Sequence, residues 1–183
     1  MLTVVKKKFK LLKMITKKLT KLDAEHYRNI RLEALYNNPD SFGTMYDEEA
    51  ILTIDNFRDK IPIIDNNNFI LGCYKNKDLV GIVAFHQGSR IKDRHKAYIR
   101  SMYVRSQFRQ EGIGKLLLDE SIKRAKAIDE IEILLLDVVA NNLPAKQLYL
   151  SFGFQIYGRE KMAYKLNDRY FDLELMSLQI KFK

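Results

Sequence analysis

The sequence predicts a mixed α/β fold, a sheet with helices packed on its faces. Three observations carry that expectation. FILGCYK (69–75) and LVGIVAFH (79–86) are rich in β-branched and aromatic residues, and Asn76-Lys77-Asp78 between them signals a hairpin, hence antiparallel pairing. The stretch 95–139 reads strand, helix, strand, which calls for a right-handed parallel crossover. IEILLLDVV (131–139) is almost continuously apolar, as expected of a strand buried on both faces.

The elements follow in order. LKMITKKLT (12–20) spaces its apolar residues like a first strand. Thr20 or Asp23 can cap the helix that follows. Leu22, His26, Ile30 and Ala34 recur at four-residue spacing, with Tyr27 and Leu35 beside them, and predict its buried face. Asn37-Asn38-Pro39 ends it. A second helix is expected near 47–60, its Asp47, Glu48 and Glu49 suiting a positive N-terminus. Pro62 and Asp65-Asn66-Asn67-Asn68 break the chain before the hairpin. HKAYIRSMYV (95–104) is the third strand of the group. Ile113, Leu116, Leu117, Ile122, Ala125 and Ile128 make 112–128 an amphipathic helix. After the 131–139 strand, Pro144 opens a helix over 142–152 and Gly153 closes it. Strands near 154–157, 161–166 and 171–180 complete the chain.

Composition bounds the rest. A chain of 183 residues with 46% hydrophobic content, ten Phe and ten Tyr can bury one core. Its single cysteine, Cys73, excludes an internal disulfide and in an apolar strand reads as inert core. The longest aliphatic run, Ile133 to Leu136, is far short of the ~20 residues a membrane helix needs. The net charge is +9, yet residues 1–22 carry eight lysines and no acid, which leaves 24 basic and 23 acidic side chains elsewhere. The folded body is nearly neutral. The expected division is a basic extension over 1–13 and a single domain over 14–183. Such a tail is either simply solvated or a binder of anionic surfaces. Lysines interrupt its apolar residues, unlike a secretory signal. The expectation is a cytoplasmic protein with no specific nucleic-acid partner and no membrane partner. His26, His86 and His95 lack ligand-like spacing, so no metal is expected. No Gly-x-Ser-x-Gly elbow is present.

YVRSQFRQEGIGKLLL carries the first chemical signal. A strand ends at Val104, a short loop follows, and Gly112 and Gly114 open a helix. Unpaired N–H groups and the positive end of the dipole make such a start an anion site, and Arg109 and Lys115 add charge. The alternative is that the glycines only shape a tight turn. Arg109 and Leu116 exclude a Walker A loop, and Leu117 excludes a dinucleotide fingerprint.

A second stretch, LLLDVVANNLPAKQLYLSFGF, adds Asn142, Ala145, Leu148-Tyr149 and Gly153-Phe154 in register. Arg109-Gln110-Glu111-Gly112-Ile113-Gly114 matches Arg/Gln-x-x-Gly-x-Gly/Ala, and 142–154 matches Asn-x-x-Ala-x-x-Leu-Tyr-x-x-x-Gly-Phe. With one helix and one strand between them, these stretches resemble the GNAT family of acetyl-CoA-dependent N-acetyltransferases, bacterial type, over about 14–180. The opening LDAEHYRNIRLEALYNNPDSFG is similar to that of bacterial members.

The resemblance implies a mostly antiparallel sheet with one splayed parallel strand pair and helices on both faces. It implies acetyl-CoA as cosubstrate, with its pyrophosphate on the amides of Arg109, Gln110, Glu111, Gly112, Ile113, Gly114 and Lys115. The pantetheine arm would pair with backbone near Met102, Tyr103 and Val104, as an added strand does, and one amide there would polarise the thioester carbonyl. Asn142, next to Ala145, would hydrogen-bond the arm. Tyr149 would protonate the departing thiolate; by residue type alone it reads equally as a packed core aromatic. Asp137 stands where some members carry a catalytic glutamate and is either the base or a structural hydrogen-bonding group, with Glu111, His95 and Tyr98 as alternative bases. Asp47, Glu48 and Glu49 either attract a cationic amine or serve the helix start. Loops near 36–50, 86–95 and 157–172 are expected to hold the acceptor, a small-molecule or peptide amine. The late strands leave room for a homodimer. The reaction implied is acetyl transfer to a primary amine; a non-catalytic, CoA-sensing member of the fold is the alternative.

Overall fold

Two-sided burial organises the sheet. The structure, a computed structural model, describes residues 14–63 and 67–181; the basic extension expected over 1–13 lies outside the described residues. β2 (Asn68–Lys75) and β3 (Asp78–Gln87) send alternate side chains to opposite faces. Phe69, Leu71, Val80 and Phe85 enter one core. Ile70, Tyr74, Leu79 and Ile82 enter the other. Asn76, at φ +60°, makes the tight connection that the sequence signalled.

β1 (Met14–Lys18), β4 (Lys96–Val104), β5 (Ile133–Val139), β6 (Gln155–Leu166) and β7 (Arg169–Gln179) complete a seven-stranded sheet in the order β1-β2-β3-β4-β5-β7-β6. Its one parallel pair is β4 with β5. α1 (Ala24–Asn37) and α3 (Ile54–Lys60) cover one face. α4 (Ile113–Lys126) and α5 (Leu143–Ser151) cover the other. A Cβ at Gly81 would lie 2.8 Å from Ile113 Cγ2, so the glycine lets the start of α4 sit directly on β3.

The structure departs from the sequence reading in three places. The helix expected over 47–60 is two, α2 (Tyr46–Ala50) and α3, because Thr53 accepts the Asn56 N–H and starts a new helix. α1 buries Tyr27, Ile30, Ala34 and Leu35 as expected, but also Ala24, Leu32 and the charged Arg31, while His26 and, before the helix, Leu22 are exposed, so the face is rotated and includes a charge. The strands expected at 154–157 and 161–166 are one long β6, interrupted by irregularities after Ile156 and Glu160.

Asp23 pins the corner between β1 and α1. Its carboxylate accepts from Lys17 at 2.9 Å, from the Thr20 N–H and hydroxyl at 2.9 Å each, and from Tyr74 at 2.8 Å. Burial alone would raise its pKa, but these hydrogen bonds outweigh it and hold the carboxyl at about 2. A depressed folded-state pKa stabilises above the unfolded value of 3.8 and loses that contribution as pH falls toward 2. Urea unfolding is therefore expected to show the wild type losing about 2 kcal/mol more stability between pH 5 and pH 2 than Asp23→Asn does.

Candidate active site

β4 and β5 are hydrogen-bonded neighbours over only three residues each. Lys96, Ala97 and Tyr98 pair with Ile133, Leu134 and Leu135, and beyond them the two strands part. β4 meanwhile stays paired to β3 as far as Val104. A bulge lies in that pairing: Ile82 faces Tyr103 but Ala84 faces Arg100, and Ser101 is left-handed at φ +51°. Holding a serine there costs about 1 kcal/mol. The bulge shifts the ladder of β4 just where the gap to β5 opens.

At the end of β4 the chain turns into α4. Gln110 at φ +66° and Gly112 at φ +82° curl the loop, and successive amides in such turns form an anion-binding concavity. Among the described residues, no backbone or side-chain group is hydrogen-bonded to the N–H groups of Gln110 through Lys115. The Arg109 N–H is already held by the Ser106 carbonyl at 3.2 Å, so the free run starts one residue later than the sequence implied. A Cβ at Gly112 would meet nothing within 4 Å. These amides face a cavity of about 590 Å³ that also takes in Met102, Tyr103, Val104, Arg109, Lys115, Asn142, Ala145 and Tyr149. Of the residues expected at the cofactor, Glu111 alone is absent from its lining; its carboxylate pairs with Lys75 at 2.6 Å. The Arg109 guanidinium donates to the Val104 carbonyl at 3.2 Å and to Asn38 Oδ1 at 3.0 Å, clasping the loop to β4 and α1.

A second cavity, of about 510 Å³, opens on the other side of the gap. The two cavities share Ser41, Phe42, Met102, Asn142, Ala145 and Tyr149. Asn142 caps α5, its Oδ1 accepting the Ala145 N–H at 3.3 Å, which leaves its amide N–H groups for the cavity. Tyr149 is 7% exposed, packed edge-on to Phe154, and its hydroxyl donates to Met102 Sδ at 3.6 Å, a weak acceptor. Burial, and after it the charge of Asp137, raise its pKa, so it stays a protonated donor at neutral pH. Asp137 projects from β5 into the second cavity and makes no ion pair among the described residues. Glu111, His95 and Tyr98, the other candidate bases, do not line it.

The far wall of this cavity falls in part within 157–172, one of the stretches expected at the acceptor, and in part on β4, which was not expected there. Tyr164 and Glu160 reach it from β6 and Arg100 from β4. The β6 irregularity after Glu160 is held by Asp172, which accepts the Met162 N–H and the Arg159 guanidinium at 2.9 Å each. A Cβ at Gly43 would lie 3.1 Å from the Tyr164 hydroxyl, so the 41–44 loop and β6 meet over the cavity. The loop 86–95, expected to hold the acceptor, lines neither cavity. Arg31 lies behind the 41–44 loop, with its guanidinium 5.2 Å from the Phe42 ring and 2.9 Å from Glu49. Glu49, buried and also paired with Lys60, therefore braces this wall, while Asp47 and Glu48 are exposed and none of the three lines the cavity.

Known proteins with this geometry place the chain. The acetyltransferase (GNAT) domain model matches residues 16–175. The chain belongs to the GNAT acetyltransferase family. An N-alpha-acetyltransferase of Sulfurisphaera tokodaii is 38% identical over 60 residues, a match spanning 33% of this chain and about a third (36%) of that relative. A GNAT acetyltransferase from Streptococcus pneumoniae superposes with a TM-score of 0.81 at 23% identity over 92% of this chain and 100% of that one. YncA from Salmonella typhimurium, solved with its cofactor acetyl-CoA, gives 0.79 at 19% identity over 93% and 96%. At those identities the likeness is one of fold, including the mixed sheet with a single parallel pair. Among the described residues no helix is long and apolar enough to cross a membrane.

The Arg31–Glu49 pair sets the stability of the cavity wall. Removing one partner of a buried pair strands the other charge. Glu49→Ala is expected to cost about 3 kcal/mol in urea unfolding, and Arg31→Met/Glu49→Met together to cost markedly less than the single change.

Proposed function

We propose that this protein transfers the acetyl group of acetyl-CoA directly to a primary amine. One observation supports this above the rest: an anion-ready cavity and a second, carboxylate-bearing cavity meet at the gap between β4 and β5, with Tyr149 at the junction. The residues present fit acetyl-CoA. The bare amides of Gln110 to Lys115 and the Lys115 ammonium suit a diphosphate. The opened edge of β4 offers backbone groups to an amide-bearing chain. The relative solved with acetyl-CoA shares this fold.

When bound, acetyl-CoA supplies an activated thioester. The chain's own residues do the rest. A backbone N–H on the edge of β4 that β5 leaves unpaired, beside the Ser101 bulge, polarises the carbonyl. Asn142 orients the arm from the α5 cap. Asp137 receives, directly or through a water, the proton the amine must lose, as the new C–N bond forms and the C–S bond breaks. Tyr149 gives its proton to the departing sulfur; burial keeps the phenol protonated, and among the described residues its hydroxyl is engaged only by the weak Met102 thioether acceptor. Juxtaposing the two reactants supplies much of the rate.

The test is release of free thiol from acetyl-CoA across an amine panel, run on the wild type and on Tyr149→Phe. Transfer to at least one amine is expected, with kcat lowered about 100-fold in Tyr149→Phe and coenzyme A affinity unchanged by calorimetry. Binding of coenzyme A without transfer to any amine would favour a sensing role; unchanged kcat in the variant would remove Tyr149 from the reaction.

A further inference from the structure

The second cavity gathers charges of both signs from three strands' side chains and one helix. Of the charged groups that line it, Arg31 is neutralised by Glu49. The other three are Asp137 on β5, Glu160 on β6 and Arg100 on β4. Among the described residues none of these three makes an ion pair. Arg100 lies over the Tyr98 ring, 5.2 Å from its centroid, a contact that orients a guanidinium without neutralising it. All three act on one point: burial first, then Asp137 and Glu160, raise the Tyr164 phenol, and Arg100 opposes them. Two carboxylates and a guanidinium thus share one cavity, within electrostatic reach of the same hydroxyl, without pairing.

Opposite charges held apart in a single cavity are complementary to a ligand that carries both signs. We propose that the acceptor is a small amino-carboxylate zwitterion, its carboxylate bound by Arg100 and its amino group placed between Asp137 and Glu160. This rests on the transferase reading and names the acceptor class for it. Arg suits the task because its fork matches a carboxylate bidentately. The two acids outnumber the single guanidinium, which favours the arriving ammonium, and Asp137 on the strand facing Tyr149 takes its proton. The roof argues for a free small molecule over a polypeptide N-terminus. Tyr164 closes on the Gly43 loop so tightly that a Cβ there would touch its hydroxyl, and a peptide would have to thread its chain between them. A cavity of about 510 Å³ holds a small molecule without its extending beyond the roof.

The experiment measures KM and kcat at saturating acetyl-CoA for the standard amino acids, for the matching amines lacking the carboxylate, and for tetrapeptides with free N-termini. The wild type, Arg100→Gln, Arg100→Lys and Glu160→Gln are compared, with far-UV circular dichroism confirming the fold. Transfer to amino acids is expected, with Arg100→Gln raising their KM roughly 10- to 100-fold. The same variant does not raise KM for the decarboxylated amines, which have no carboxylate to bind and lose a like charge from the cavity, Arg100→Lys recovers part of the loss for amino acids, and Glu160→Gln raises KM for both classes alike. Preference for peptides or for decarboxylated amines, or an equal effect of Arg100→Gln on both classes, would overturn the assignment. So would absence of transfer to any amine while acetyl-CoA still binds. Failure to bind acetyl-CoA at all would be a different result, defeating the transferase reading and this one with it.

Discussion

The separation of β4 from β5 after three paired residues is the constraint on which the site depends. Backbone N–H and C=O groups demand partners, and two adjacent strands that stop pairing inside a sheet leave both edges wanting. Such a gap persists only if something holds the strands apart and something else satisfies the edges. β4 is held on its other side by the ladder to β3 and by the Arg109 clasp on the Val104 carbonyl. β5 is held by seven consecutive pairs to β7. The gap is therefore built into the sheet. Both cavities are its consequences, one toward α4 and α5, the other toward the 41–44 loop and β6.

Backbone and side chains divide the work across that gap. On the α4 side the chemistry is written in main-chain groups, the bare amides of 110–115 and the opened edge of β4. On the β6 side it is written in charged side chains. The first arrangement suits a ligand that never changes, and the second a ligand that selection can vary. Left-handed Ser101 and Gln110 are strained to shape the first. The two buried cores on either face of the sheet absorb that cost, with Ile113 and Leu117 seating α4 through the glycine at position 81.

What could be read from the sequence was local. The hairpin, the crossover helix, the Gly112 turn and the Asn142 cap each leave a signature within a dozen residues, and the structure places them close to their expected bounds. What could not be read depended on partners far along the chain. Nothing near Arg31 in the chain marks it as buried, because the carboxylate that pairs with it, Glu49, lies 18 residues on. Glu160 and Tyr164 on β6 and Arg100 on β4 lie on two distant strands whose shared cavity follows only from sheet order. The β6 irregularity is fixed by Asp172 on the neighbouring strand, so a reading of β6 alone sees two strands. The acid cluster 47–49 sits in the first turn of α2, as one of its two readings had it, but charge pattern carries no depth: Glu49 is core, and Asp47 and Glu48 are surface.

A crystal structure of the full chain with coenzyme A tests the central claim most directly. Diphosphate oxygens are expected within hydrogen-bond distance of the N–H groups of Gln110 to Lys115, with the pantetheine amides along β4 beyond Tyr98 and the sulfur near Tyr149. A complex in which those amides turn to protein acceptors, or in which β4 and β5 stay apart while the ligand binds at some other surface, would contradict it.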